Sequence, residues 1–232
     1  VITTVHAGAG DDTICVDTPG SYDGGSGVDS IELVDGYTDG AGATVIDFEQ
    51  LDVRTIYELG INIFEWTEVP SELSGSVDAS YLPEARSAKY FDNPTVRLVV
   101  PDSSAFGLRV DQRTGEVSLG GNLGFALRGV DDFSLNAHRI RVLGNAGSSH
   151  FIMGGCDVVA RGGGSVDRLE GGNRKGDPKS CPGVRFYGQA GKDKLVGGRD
   201  NDVLIGGPGR DRAFGGKGRD RCVAEREYDC EL

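Results

Sequence analysis

Basic residues are nearly absent from the first third of this chain. Residues 1–84 carry 17 Asp and Glu against a single cation, Arg54, for a net −16, whereas 85–232 hold 23 basic and 19 acidic side chains. The overall charge of −12 argues against nucleic acid as a partner, because such binding rests on neutralising phosphates. The anionic third repels itself unless counter-ions compensate it. A solvated acidic surface explains part of that charge, and divalent-cation binding is the sharper reading. Long apolar runs are also missing. None approaches the ~20 residues that span a bilayer, so no membrane span is expected. Histidine is limited to His6, His138 and His150, and GxSxG, Walker A, HExxH and GxGxxG motifs are absent. His150 follows Ser148 and Ser149, but sequence neighbours do not make a catalytic pair, and each histidine reads as a surface or core residue. The five cysteines, Cys15, Cys156, Cys181, Cys222 and Cys230, include no CxxC, which speaks against a zinc site or a thioredoxin-type motif. No secretory leader is visible and the sequence starts at Val1, which points to a processed or trimmed chain.

Glycine is abundant: 38 of 232 residues, against a usual ~7%. Collagen would place it at every third position, which is not the case, and disorder would lack recurrent apolar positions, which are present. A repeat with obligatory tight turns fits. Written in nines, residues 188–223 read GQAGKDKLV, GGRDNDVLI, GGPGRDRAF and GGKGRDRCV. Every block keeps Gly first and Asp sixth, at Asp193, Asp202, Asp211 and Asp220. The eighth residue is Leu195, Leu204, Ala213 or Cys222. The same frame recurs at 162–170 (GGGSVDRLE), 24–32 (GGSGVDSIE) and 7–15 (AGAGDDTIC), with Asp167, Asp29 and Asp12 sixth and Leu169, Ile31 and Ile14 eighth.

These blocks resemble the RTX, or haemolysin-type, calcium-binding nonapeptide GGxGxDxUx. The resemblance implies calcium as the cofactor, folding coupled to metal binding after export, and a secreted protein similar to actinobacterial examples. The residues support a compatible geometry by themselves. Glycine-rich positions one to four supply turns and let carbonyls approach an ion. The sixth-place Asp supplies a carboxylate, and residues seven to nine form a short strand with the eighth pointing inward. Two blocks make one 18-residue coil, so Asp193 stacks on Asp211 and Asp202 on Asp220. Asp12 and Asp29 are separated by 17. Calcium takes six to eight oxygens from carboxylates and carbonyls, and stacked turns offer both. The metal-site candidates are therefore Asp12, Asp29, Asp167, Asp193, Asp202, Asp211 and Asp220.

The C-terminal blocks depart from the family pattern around these aspartates. Lys192 and Lys194 flank Asp193, Arg210 and Arg212 flank Asp211, and Arg219 and Arg221 flank Asp220. Such a cation could pair with the carboxylate in place of metal, or it could point outward and leave the site intact.

The expected fold is all-β, a right-handed parallel β-roll or β-helix solenoid over 1–232 with irregular middle coils and loop insertions. It divides into N-terminal repeats at 7–32, irregular coils at 33–161, C-terminal repeats at 162–223 and a cap at 224–232. Residues 45–66, 95–100 and 123–143 alternate apolar and polar side chains, and 144–152 (GNAGSSHFI) reads as a worn repeat with Ser149 in the Asp place. An insertion near 67–94, with Pro70, Pro83 and Pro94, includes a short helix near Glu84–Lys89, and 171–187 is an exposed loop. Cys222 and Cys230 are placed to close a small loop, and Cys156 and Cys181 to bracket an insertion, leaving Cys15 alone. Spacing does not fix the connectivity, and five free buried thiols are the other reading. Disulfides would imply an extracellular setting.

The leading reading is a non-enzymatic extracellular calcium-binding repeat protein whose protein or polysaccharide partner is unknown. An adhesion module would use an aromatic patch around Phe64, Trp66, Tyr81, Tyr90 and Phe91. A polysaccharide lyase or epimerase on a β-helix would use a face such as Arg139 and Arg141 with Asp131 and Asp132, although alternating charge on an exposed strand explains those residues equally.

Overall fold

A computed structural model describes residues 3–16, 20–33, 44–46, 50–53, 62–65, 74–78, 95–99, 107–120, 123–128, 130–172 and 181–231. These residues form 23 strands, numbered β1–β23 in chain order, and no helix. The expected helix near Glu84–Lys89 lies outside the described residues. The strands fall into two packed units: residues 1–101 with 115–132, and residues 102–114 with 133–232.

In the first unit one sheet orders β1 (Thr3–Ala9), β3 (Gly20–Ser26), β5 (Thr44–Ile46), β7 (Asn62–Glu65) and β9 (Thr95–Val99). The other orders β2 (Thr13–Val16), β4 (Ser30–Leu33), β6 (Gln50–Val53), β8 (Ser74–Asp78), β12 (Leu123–Arg128) and β11 (Glu116–Leu119). The pairings are parallel, as short strands separated by glycine-rich turns require when successive coils stack. The exception is β11, which pairs antiparallel with β12, Leu119 opposite Leu123. Only residues 120–122 join them, too short for a parallel crossover, and Gly120 takes a φ of 62° in that turn. The expectation of parallel coils throughout the middle therefore fails at this hairpin.

The second unit repeats the two-sheet plan. One sheet orders β13 (Asp132–Asn136), β15 (His150–Gly154), β17 (Arg168–Gly172), β19 (Lys194–Gly198), β21 (Arg212–Gly216) and β23 (Arg226–Tyr228). The other orders β10 (Gly107–Asp111), β14 (Arg139–Leu143), β16 (Asp157–Gly163), β18 (Gly183–Gln189), β20 (Val203–Ile205) and β22 (Arg221–Val223). Alternation along each strand sends every second residue inward. The inward residues line up from coil to coil: Phe151, Leu169, Leu195 and Ala213 on one sheet, and Val142, Ala160, Phe186, Leu204 and Cys222 on the other. All of these are buried. The eighth place of each C-terminal block is thus a core position, and the small Ala213 and Cys222 continue the columns that Leu195 and Phe186 occupy in earlier coils. Phe133 and Phe151 stack with ring centroids 4.9 Å apart. Disulfides join Cys156 to Cys181 and Cys222 to Cys230, and Cys15 is free and exposed. Among the described residues no helix is long and apolar enough to cross a membrane.

Candidate metal centre

Each sixth-place Asp sits where a turn enters a strand, and its carboxylate faces the preceding coil. The backbone amide of Asp193 donates to Asp211 Oδ1 at 2.8 Å, and that of Asp202 donates to Asp220 Oδ1 at 2.8 Å. The amide of Asp167 reaches Asp193 Oδ1 at 2.9 Å across 26 residues, because residues 173–182 between β17 and β18 lengthen that coil; residues 183–187, expected in an exposed loop, belong to β18 instead, with Val184 and Phe186 turned into the core. Val184 donates to Asp202 Oδ1 at 2.7 Å, and Asp12 donates to Asp29 Oδ1 at 2.9 Å. The worn repeat joins the same column: the Ser149 amide donates to Asp167 Oδ1 at 2.9 Å, and its hydroxyl donates to Gln112 Oε1 at 3.0 Å. The 18-residue stacking expected from the sequence is thus present, with one amide–carboxylate bond per C-terminal block.

Six of the seven candidates, Asp29, Asp167, Asp193, Asp202, Asp211 and Asp220, are at most 2% exposed. Asp12 is half-buried. One oxygen is used by the coil contact, and the second is in short supply of partners. Oδ2 of Asp167, Asp193, Asp211 and Asp220 is buried with no hydrogen bond, as is Oδ2 of Asp12. Asp202 differs, since its Oδ2 accepts the Gly198 amide at 2.6 Å.

The first-place glycine follows from the same contact. A Cβ on Gly162 would lie 2.5 Å from Asp167 Oδ2, and one on Gly215 would lie 2.5 Å from Asp220 Oδ2. Gly188, Gly197 and Gly206 meet the Oδ2 of Asp193, Asp202 and Asp211 still more closely. The five-residue interval between glycine and aspartate is therefore a packing rule: the carboxylate occupies the space a side chain would fill.

Burial without compensation raises the carboxyl pKa. Desolvation pushes Asp167 up to about 7, aided by the charge of Asp193, while the Ser149 amide opposes the rise. Burial likewise lifts Asp202 to about 6 against two amide donors. Asp29, Asp193, Asp211 and Asp220 are raised for the same first reason.

The flanking cations do not relieve this. Among the described residues no Lys or Arg forms an ion pair with Asp193, Asp211 or Asp220; Lys192, Arg210, Arg212, Arg219 and Arg221 are exposed and Lys194 is half-buried. Of the two alternatives posed by the sequence, the side chains at five and seven take the outward one.

An unpredicted buried carboxylate, Asp111, shows the contrast. Arg113 Nη2 donates to its Oδ2 at 2.7 Å and Arg113 Nε to its Oδ1 at 2.9 Å, and Arg109 Nη2 adds a third bond at 3.1 Å. These donors, Arg113 first, hold Asp111 at about 2 in spite of its burial.

Sequence reasoning also missed a second column one residue earlier. The fifth-place side chains of Asp11, Ser148 and Asn201 accept the amides of Val28, Val166 and Arg219 at 3.0, 3.3 and 2.8 Å. Two caps were missed as well. Glu225 Oε2 accepts the Asp211 amide at 2.7 Å, and Glu231 Oε2 accepts the Asp220 amide at 2.8 Å. Their spacings of 14 and 11 residues fall outside the repeat period, which hid them.

Among the described residues no three His, Cys, Asp or Glu side chains converge as a metal cluster. A cation at these turns would need backbone carbonyls beside the Asp oxygens, and oxygen donors of that mixture suit calcium. The buried, unpartnered Oδ2 atoms fit that requirement, and the glycine turns expose carbonyls to supply the rest.

Two other expected sites come out differently. Arg139 and Arg141 converge with Arg185 on Asp157, Arg141 Nη2 at 2.6 Å and Arg185 Nη2 at 3.0 Å from its carboxylate oxygens. Burial raises the Asp157 pKa, but the arginines outweigh it and hold the group low. Asp157 is thus a carboxylate beside those arginines that was not named from sequence. The aromatic patch of Phe64, Trp66, Tyr81, Tyr90 and Phe91 lies outside the residues whose side chains are described.

Coils of nine-residue blocks, each burying one carboxylate over a glycine, define a parallel-stranded repeat protein built to enclose charge at its turns. The chain carries RTX calcium-binding nonapeptide repeats: the family model matches in four copies, over residues 4–17 and 187–222. Asp29 and Asp167 lie outside the matched residues yet make the same coil contact. Comparison with curated proteins gave no match.

Proposed function

We propose that this protein is an extracellular, non-enzymatic calcium-binding β-roll whose turns take up calcium as the coils stack. The observation that carries this reading is the set of buried Oδ2 atoms on Asp167, Asp193, Asp211 and Asp220 that have no protein partner. A buried charge without compensation is costly, and the nearest arginines point away. Calcium would be held by Asp193, Asp211, Asp167 and Asp220 together with turn carbonyls, with Asp202, Asp12 and Asp29 as further ligands. When bound, the ion supplies positive charge to groups that otherwise favour protonation. Its sites exist only once coils are in register, so binding and folding are linked.

The right-handed winding follows the hand that parallel crossovers take. The two disulfides support an oxidising compartment. The non-enzymatic reading rests on Arg139 and Arg141 spending their charge on Asp157. Thermal unfolding followed by circular dichroism, with excess calcium and then with chelator, tests the proposal. A large calcium-dependent rise in melting temperature is expected. Identical curves, with metal analysis showing the chelated protein to be calcium-free, would overturn it.

A further inference from the structure

Three seventh-place residues of the second unit and Arg226 of the cap stack in register on one sheet: Arg168 beside Lys194, Lys194 beside Arg212, and Arg212 beside Arg226. Neighbouring strands lie ~4.8 Å apart, so the four cations form a straight column with that repeat. One end is neutralised, since Glu170 pairs with Arg168 and, at 3.6 Å, with Lys194. The other end is not. Among the described residues Arg212 and Arg226 have no acidic partner, and neither do Lys192 and Arg210 in the adjoining turns.

These four, with Lys194, line a cavity of about 610 Å³. Three acids share it: Asp193 and Asp211 of the candidate metal centre, and Glu225. Asp193 and Asp211 are buried with Oδ1 taken by the coil contact, and Glu225 accepts the Asp211 amide. The cations outnumber these carboxylates, and an excess of like charge held side by side opposes folding. The next outward column on these strands is Val196, Phe214 and Tyr228. The Phe214 and Tyr228 rings stack at 4.6 Å with planes 7° apart, and Tyr228 is 43% exposed.

We infer that this cleft binds a linear acidic polysaccharide with about one charge per sugar. Carboxylates or sulfates on successive sugars meet Arg212 and Arg226, and a sugar ring rests its C–H face on Tyr228. The column repeat is about the length of one sugar in an extended chain, which a compact anion would not exploit. The aromatic strip beside the cations gives an apolar ring face a place to lie, which inorganic phosphate has no use for. Nucleic acid would meet a chain of net charge −12. The cavity shares two walls with the calcium reading, since Asp193 and Asp211 also line it; loss of anion binding in a variant whose calcium-dependent melting is unchanged separates the two.

The test is isothermal titration calorimetry of the full chain in calcium-containing buffer with a size-defined chondroitin sulfate oligosaccharide, and with dextran as the neutral control. Saturable binding to the former alone is expected, weakening with salt. Arg212→Glu with Arg226→Glu lowers affinity on the order of tenfold or more, and Tyr228→Ala lowers it by a smaller factor. Circular dichroism checks that the variants fold; Arg212→Gln with Arg226→Gln replaces the charge reversal where it does not. Unchanged affinity in these variants overturns the inference. Equal binding of single-stranded DNA of matched charge, indifferent to Tyr228→Ala, overturns it in favour of unspecific charge attraction. Self-association in sedimentation velocity that the same substitutions abolish overturns it in favour of a second copy's acidic N-terminal region.

Discussion

Around Asp111, and along the turns through Asp193 and Asp211, the C-terminal unit buries the same side chain in two different ways. At Asp111 two arginines supply four hydrogen bonds' worth of compensation, counting the Arg113 amide at 3.2 Å, and the carboxyl is pulled down to about 2. At Asp193 and Asp211 arginines and lysines are equally near in sequence, yet no ion pair forms among the described residues and burial pushes the carboxyl up. The difference lies in strand geometry. Arg109 is two residues from Asp111 along one strand, and Arg113 lies two residues on in the following turn, so both reach the same side of the chain. Residues five and seven of a repeat are immediate neighbours of the sixth and alternate away from it. Cation abundance therefore says little about charge compensation until the side-chain direction is known.

The largest expected effect that would break this comparison is a reversal of sign. Asp211→Asn keeps an acceptor for the Asp193 amide but removes the charge. It should lower the melting temperature in excess calcium, where a site filled at a hundred times its dissociation constant contributes ~2.7 kcal/mol. In chelator it should raise the melting temperature, because the uncompensated charge is gone. Calorimetry in both buffers reads the two signs, and the same sign in both would merge the two regions.

Protons should act as the substitution does. The Asp167 and Asp202 carboxyls are raised to about 7 and about 6 in the folded chain, above the ordinary carboxylate value. Their contribution to stability is complete below that ordinary value and is lost as pH rises through about 6 to 7. Calcium-free protein should therefore become less stable between pH 5 and 8, and saturating calcium should remove the loss. Asp111 runs the opposite way: its contribution is present above the ordinary value and disappears only as pH falls toward about 2. Melting temperature against pH, with and without calcium, separates them.

Gly206→Ala would drive a methyl group into Asp211 Oδ2, an overpacking expected to cost ~1–3 kcal/mol and to weaken calcium stabilisation along with the fold. The smallest effect belongs to Arg113→Ala. Its side chain is 56% exposed, so solvent screens the pair and the loss should be small, read from denaturant melts. That loss should be the same in calcium and in chelator.

Much of this was legible because the repeat period couples two visible residue types. Glycine first and aspartate sixth mark a carboxylate lying over a missing side chain, so block boundaries, inward eighth residues and most buried aspartates could be read directly. The column through Gln112 and Ser149 was harder to see. There a neutral hydroxyl–amide pair replaces the carboxylate, and no glycine–aspartate interval marks the coil. Of the antiparallel β11–β12 hairpin, only β12 falls in an alternating run, whose alternation is the same for either strand direction, and β11 lies outside the runs read as strands. Asp111 was invisible because its partners are set by strand pairing and turn geometry that no repeat encodes.

The amide–carboxylate column also has a direction. Every rung takes its donor from the earlier coil and its acceptor from the later one, ending on Glu225 and Glu231. The array thus resembles a zipper locked at one end. A coil's amide loses its acceptor when the successor leaves, whereas its carboxylate loses its donor when the predecessor leaves. Fraying from the Glu225–Glu231 end should therefore bare backbone amides, and fraying from the other end should bare carboxylates.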